Sequence, residues 1–394
     1  MWKPIIKEEF LLKEIKKKLN QIQSSLQTIN EKNSSILSGQ PGILLFKSYY
    51  SRFDPSKDIS YKSNIQILFD YFQEPTSLNF SYGMSGILHT LSHLEKEGFI
   101  DFGDEIKKFD HSIFEPYIKN EKTLDYLHGN TGVALSLLEQ NIETKYDYLF
   151  DRWLSAIEEI KEPDYRNLKW KTDFWNKENV VERGYCFGLA HGVPSIIIIL
   201  LKLYKRNKSE KVLDYITRSI TFLLENKLED QSEFYFPTRI VNEIKVGSKL
   251  AWCYGDLGVA LSLYLYGEYF KNSEISLFAI EIFTRHTTKR DCSVYHVEDA
   301  DFCHGSIGIA HIYARIYNYT GIEIFRETSE YWYKVTIEKS IYTDGMAGYK
   351  HSHGKDKLLE SKYGLLEGIS GIGLSFISAI CDIEPKWDNV FLLS

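Results

Sequence analysis

A short glycine turn recurs along this chain and restricts what it can fold into. The signature Gly-x-x-Gly-Ile/Val, followed by an apolar run, stands at Gly39-Gln40-Pro41-Gly42-Ile43, Gly83-Met84-Ser85-Gly86-Ile87 and Gly129-Asn130-Thr131-Gly132-Val133. It returns at Gly255-Asp256-Leu257-Gly258-Val259, Gly305-Ser306-Ile307-Gly308-Ile309 and Gly368-Ile369-Ser370-Gly371-Ile372, and a degenerate copy, Gly192-Val193-Pro194-Ser195-Ile196, fills the remaining gap. The seven leading glycines are spaced 44, 46, 63, 63, 50 and 63 residues apart. Periods of this size mark repeat architectures, in which one supersecondary unit buries its apolar face only by packing on its neighbours.

The apolar runs after the turns, such as Ile196 to Tyr204 and Ile372 to Ile380, are not confined to one stripe and so predict largely buried helices. Between them lie amphipathic stretches. Ile15, Leu19, Ile22, Leu26 and Ile29 step by four and three, which predicts a one-faced helix, and Lys211 to Leu224 reads similarly. The repeating unit is therefore an outer amphipathic helix, a loop, a glycine turn and an inner buried helix, with strand signals weak by comparison. An open solenoid needs polar capping repeats at its ends, yet the last copy is as apolar as the middle ones. Closure removes both ends. The expectation is an all-α, seven-fold α/α toroid forming a single domain over residues 1–394, with room for an insertion within 141–183, a stretch that carries Trp153, Trp170 and Trp175. The glycines would allow a positive φ or close backbone approach at the turns.

Composition narrows the function. The chain is 43% hydrophobic and 26% charged, which excludes a disordered polymer, and its net charge of -7 without a basic stripe argues against nucleic acid as partner. The longest aliphatic run, Ile196 to Leu201, is far too short to cross a bilayer. The opening Met1-Trp2-Lys3-Pro4 does not read as a secretory signal. Five cysteines at irregular spacing make a disulfide framework improbable and place the expected location in the reducing cytoplasm.

The residue before each leading glycine is polar in all seven copies: Ser38, Tyr82, His128, His191, Tyr254, His304 and Glu367. A purely structural position would be monotonously apolar, so these are expected to line the mouth where the turns gather. Two neighbouring turns carry metal-ligand chemistry. Trp252-Cys253-Tyr254-Gly255 and Cys303-His304-Gly305 supply two thiols and an imidazole, a three-ligand set that suits zinc and leaves a fourth position for water or substrate. Cys186, Cys292 and Cys381 are read as bystanders. His286, His296, His351 and His353 are read as loop residues outside the repeat, with the last two solvated.

The seven-fold repeat together with Ala190-His191-Gly192, Trp252-Cys253-Tyr254-Gly255, Cys303-His304-Gly305 and Tyr363-Gly364-Leu365-Leu366-Glu367-Gly368 resembles the lanthionine synthetase C-like family over nearly the whole chain. The resemblance implies one Zn2+ per chain held by Cys253, Cys303 and His304. It further implies an active-site histidine at His191, an active-site aspartate at Asp125 and a tyrosine at Tyr254 beside the first ligand. One position departs from the family's pattern: Lys249 stands where an arginine is usual, keeping the charge but losing the planar fork. The implied activity is a lanthipeptide cyclase. It adds cysteine thiols to dehydroalanine or dehydrobutyrine in a dehydrated precursor peptide, with a separate dehydratase and a peptide exporter as further partners and a membrane-bound biosynthetic complex as a second location. Two alternatives stay open: a family member that adds glutathione to dehydroamino acids, and a non-catalytic zinc-containing scaffold that binds peptides.

Overall fold

The computed structural model describes residues 1–73, 75–103, 106, 108–175, 181–229, 232–353 and 358–394. Of the segment expected as an insertion, residues 176–180 and the Trp175 side chain lie outside the described residues, as does the side chain of His353.

In chain order the helices are α1 (Glu9–Gln27), α2 (Gln40–Phe53), α3 (Lys62–Gln73), α4 (Met84–Lys96), α5 (Phe114–Asn120), α6 (Asn130–Gln140) and α7 (Tyr148–Ile160). They continue with α8 (Val193–Asn207), α9 (Glu210–Glu225), α10 (Asp256–Phe270), α11 (Ser273–His286), α12 (Ser306–Thr320), α13 (Glu323–Glu338) and α14 (Ile369–Ile380). Every even-numbered helix starts one residue after a leading glycine, and its first two to three turns are buried on all sides. The odd-numbered helices bury one face, as the sequence pattern predicts. On α1 that face is Leu11, Ile15, Leu19, Ile22 and Leu26, whereas Ile29 falls beyond the helix end. Each such aliphatic side chain stabilises the fold by about 1.5–3 kcal/mol.

The glycines act mainly by close approach. Only Gly255 among the seven leading glycines has a positive φ, 93°. A Cβ on Gly129 would lie 2.1 Å from the carbonyl oxygen of Thr123, and one on Gly371 would lie 2.0 Å from that of Leu365. In both cases the obstacle is the chain's own backbone six residues earlier, folded back over the turn.

The described residues group into two compact units. The first comprises Met1–Ser77, Ser81–Gly103 and Thr287–Ser394. Within it α12, α14, α2 and α4 lie side by side in that order, backed by α13, α1 and α3. The first and last repeats of this unit meet directly: α14 packs on α2 and α1, Trp2 Nε1 donates to Ser378 O (2.7 Å), and Ile5 N donates to Ala379 O (2.8 Å). Near the C-terminus Phe302 and Phe391 stack at 3.8 Å, and buried Asp388 accepts from Arg315 Nη2 (2.6 Å) and Nε (3.0 Å) and from His311 Nε2 (3.0 Å).

The second unit comprises Leu78–Phe80 and Asp104–His286. Its inner helices are α6, α8 and α10 in that order, with α5, α7, α9 and α11 outside them. Strands appear here that the sequence did not announce. β1 (Thr172–Trp175), β2 (Val181–Cys186), β3 (Arg239–Val241) and β4 (Ile244–Val246) form an antiparallel sheet in that order, with Gly184 facing both Thr172 and Val241. In the first unit, β5 (His351–His353) pairs with β6 (Leu358–Glu360). Each of the three 63-residue intervals thus carries one hairpin, and among the described residues the shorter intervals carry none. At three to six residues, these strands are too short to give a period-two signal.

Candidate functional site

In the second unit the site begins with the turn Asp125-Tyr126-Leu127-His128-Gly129. Asp125 is buried, and its Oδ1 accepts from the backbone N–H of His128 (2.7 Å), which fixes the turn ahead of α6. Its Oδ2 lies 2.5 Å from Nδ1 of His191, a residue positioned just before α8. With Nδ1 held, Nε2 is the ring nitrogen that Asp125 does not engage. The ring of His191 stacks on that of His128 and lies tilted against that of Tyr254, each with a centroid separation of 5.9 Å. Tyr254 in turn packs on Phe174, Cys186 and Val241, so the hairpin sheet supports it from behind.

Cys253 is held next to this group by backbone contacts. A Cβ on Gly188 would fall 2.0 Å from the carbonyl oxygen of Cys253, and Gly255 N donates to Phe187 O (3.1 Å). The loop ahead of α8 and the loop ahead of α10 are therefore pressed together, and only glycine fits at the crossing. Four sequence-predicted residues, Asp125, His191, Cys253 and Tyr254, come together in this unit. Lys249 is exposed, and its carbonyl oxygen abuts Gly255.

The electrostatics of the pair are consistent with its geometry. Burial acts to lower the pKa of His191, but the charge and hydrogen bond of Asp125 outweigh it and hold the imidazole above its ordinary value. Burial acts to raise that of Asp125, and His191 pulls it below the usual carboxylate range. Cys186, fully buried close by, has its thiol pushed well up by burial and then by the neighbouring charges of Asp125 and Cys253, which fits an inert bystander.

In the first unit, Cys303 and His304 stand at the start of α12, where the N–H groups of Phe302 and Cys303 both donate to Leu366 O (3.0 and 3.2 Å). Around His304 the structure adds residues that sequence reasoning missed. Asp301 Oδ1 accepts from the N–H groups of His304 (3.0 Å) and Gly305 (3.1 Å), and its Oδ2 is 2.7 Å from Nδ1 of His351. Asp299 Oδ2 lies 3.5 Å from His304 Nε2, and Glu367 lies 3.7 Å from His351 Nε2. The expectation that His351 is a solvated loop residue is therefore wrong: β5 carries it inward to 4% exposure. Burial opposes ionisation of Asp301, yet the hydrogen bond from His351 keeps its carboxyl below the ordinary value; burial likewise opposes the charge on His351, and Asp301 raises it.

A signal for Asp301 was present in the sequence. It precedes His304-Gly305 by the same three residues that separate Asp125 from His128-Gly129. His286 also departs from expectation, ending α11 fully buried with Nε2 2.7 Å from Asp256 Oδ2. All seven residues before the leading glycines are at least partly exposed, although the glycines themselves are buried. No helix among the described residues is long and apolar enough to cross a membrane.

Helix pairs with glycine turns ahead of every inner helix define the class of protein: this is an α/α-toroid fold, shared with the solved structure of nisin cyclase at a TM-score of 0.69 over 98% of both chains, with 20% sequence identity. Solved structures of a cellobiose 2-epimerase from Bacillus thermoamylovorans B4167 (TM-score 0.48, 11% identity, 91% of this chain and 98% of that one) and a sugar epimerase from a ruminal bacterium (0.46, 10%, 93% and 97%) are weaker likenesses. No curated protein sequence matches. The profile of the family described as lanthionine synthetase C-like protein matches residues 30–392, and the chain belongs to that family.

Proposed function

We propose that the chain is a zinc-dependent lanthionine synthetase, which closes thioether rings by adding cysteine thiols to dehydroalanine or dehydrobutyrine in a dehydrated precursor peptide. The observation that carries this reading is the second unit's cluster, in which His191 is bonded to Asp125 and stands beside Tyr254 and Cys253. Membership of the family and the likeness to nisin cyclase support it. The family match from 30 to 392 also supports treating residues 1–394 as one cyclase domain.

The motifs shared with the family point to Cys253, Cys303 and His304 as the residues that would hold zinc. Two soft thiolates and one imidazole fit the metal by type and number, and neither Cys253 nor Cys303 is tied up in a disulfide. When bound, zinc with these ligands is formally neutral, and it supplies a substrate thiol held as a reactive thiolate near neutral pH.

The protein's own groups handle the protons. His191 Nε2 takes the proton that the substrate thiol sheds. The thiolate sulfur bonds the β carbon of the dehydroamino acid, the double-bond electrons shift to the carbonyl as an enolate, and a proton returned to the α carbon completes the thioether. An imidazole suits this two-way task because its pKa lies near neutrality. Asp125 fixes the tautomer by accepting Nδ1–H, and the Tyr254 hydroxyl hydrogen-bonds the developing enolate.

The test is direct. Purified zinc-loaded protein, given a dehydrated peptide with free cysteines, is expected to remove alkylatable thiol without changing peptide mass, and His191→Ala is expected to abolish this. Undiminished cyclisation by His191→Ala sinks the assignment. Addition of glutathione in place of ring closure moves the substrate to the family's other chemistry, and no addition to either marks a binding scaffold.

A further inference from the structure

The proton chemistry proposed above does not use Asp299, Asp301 or His351, although all three are at least nine-tenths buried and gathered around the imidazole of His304. Buried carboxylates are costly unless paired, so a pair of them facing one histidine calls for an explanation.

The repeat supplies part of it. Asp125 and Asp301 occupy the same place in their turns, three residues before a histidine. Each uses Oδ1 to accept the backbone N–H of that histidine, at 2.7 and 3.0 Å. Each directs Oδ2 to Nδ1 of a second histidine, His191 at 2.5 Å and His351 at 2.7 Å. In one unit the device holds a histidine of the next turn, and in the other it holds one delivered by the hairpin strand β5.

What differs in the first unit is Asp299. Its Oδ1 accepts the N–H of Ser352 (3.1 Å), the residue after His351, and its backbone oxygen accepts the N–H of Ser306 (3.0 Å) at the start of α12. Its Oδ2 is thereby fixed 3.5 Å from Nε2 of His304, while Asp301 Oδ2 stands 3.8 Å from the same nitrogen. The Nε2 edge of the ring therefore faces the two carboxylates.

We propose that Asp299, braced by the Asp301–His351 pair, is the positioning carboxylate of His304: it accepts Nε2–H and so commits Nδ1 to the metal. A carboxylate on the second nitrogen of a metal-bound histidine fixes its tautomer and ring orientation and makes it a more basic ligand; loss of such a partner costs about 10- to 100-fold in metal affinity. The inference rests on the reading of His304 as a zinc ligand, and the hairpin β5–β6 becomes part of the metal site's frame.

Full-length apo protein, wild type and Asp299→Asn, is titrated with zinc against a chromophoric chelator and separately loaded with cobalt. Asp299→Asn is expected to bind zinc about 10- to 100-fold more weakly and to shift the cobalt d–d bands, with an unchanged far-UV circular dichroism spectrum and with Asp299→Glu recovering part of the affinity. Equal affinity and an unmoved cobalt spectrum overturn the proposal. Long-range proton–nitrogen correlation on the zinc-loaded wild type decides it even where variants do not fold: a proton on Nε2 of His304 supports it, and one on Nδ1 overturns it. A wild-type protein that binds no zinc overturns the proposed function and this inference with it, whereas zinc binding that is indifferent to Asp299 overturns the inference alone.

Discussion

Replacing Asp125 by Asn keeps the shape of the side chain and one of its two contacts. The amide oxygen still accepts the N–H of His128, now 2.7 Å from Oδ1, but an NH2 group is presented to His191 Nδ1, where a carboxylate oxygen stood at 2.5 Å. Two donors then face each other, and the imidazole is driven to the tautomer with its proton on Nε2, the wrong atom for accepting one from a thiol. A hydrogen bond to a charged group contributes about 1.5–3 kcal/mol, so if the bond acts in the transition state the rate should fall by about 10- to 150-fold. Cyclisation rate by mass spectrometry after thiol alkylation measures it. The pH dependence is diagnostic as well. Asp125 is what raises the pKa of His191 against the effect of burial, so the limb on which activity rises as His191 loses its proton should move to lower pH in the variant. Stability follows the same pair. The raised His191 contributes fully below its unfolded value and loses that contribution as pH rises through its folded value; the lowered Asp125 contributes above its unfolded value and loses it in acid. The stability gap between wild type and variant should be widest between about pH 4 and 6.5. An unchanged rate, or a limb displaced to higher pH, refutes the reasoning.

Further outcomes are expected elsewhere in the molecule. Asp388→Ala leaves the buried guanidinium of Arg315 with Glu384 and the carbonyl of Pro385 as its hydrogen-bond acceptors among the described residues and should cost about 3–5 kcal/mol in denaturant unfolding, with Arg315→Met in the same chain recovering much of the loss; a cost below about 1 kcal/mol would count against a buried ion pair. Gly371→Ala places a methyl against the carbonyl of Leu365 and should lower stability by about 1–3 kcal/mol, readable as a depressed thermal midpoint. Chelation of zinc should abolish thiol addition while leaving the helical circular dichroism signal in place. Collapse of that signal would make the metal structural instead.

The repeat was legible because its glycines are required by backbone crowding: Gly129 and Gly371 sit where a Cβ meets a carbonyl oxygen, so the turn advertises itself at each copy. The apolar runs gave the inner helices for the same reason, since a helix with no solvent face has no freedom to become polar. Hairpins were not legible, because strands as short as Arg239–Val241 and Ile244–Val246 carry no period of their own and form only through their neighbours. That blindness propagated to the site. His351 reads as a solvated loop residue unless one knows that β5 turns it toward Asp301, and no local spacing marks Asp299 for the bond it accepts from Ser352. His286 was misplaced for a related reason: its partner Asp256 lies in the first turn of a different helix, and no local spacing encodes that pairing.

The turns led by Gly39, Gly129, Gly192, Gly255, Gly305 and Gly368 each join a side chain that reaches solvent to a glycine that has no room for change. The two demands fall on adjacent codons and hardly interact, so the exposed position can be exchanged while the packing behind it stays intact. Ser38 and Glu367 are in this sense interchangeable sockets in a fixed frame, whereas His191 and Tyr254 are tied to Asp125 and to the hairpin sheet behind them. Such a frame can acquire a new preference by single substitutions at Ser38 or Glu367 without first spending stability, which makes those positions the natural ones to randomise in a selection for altered substrates.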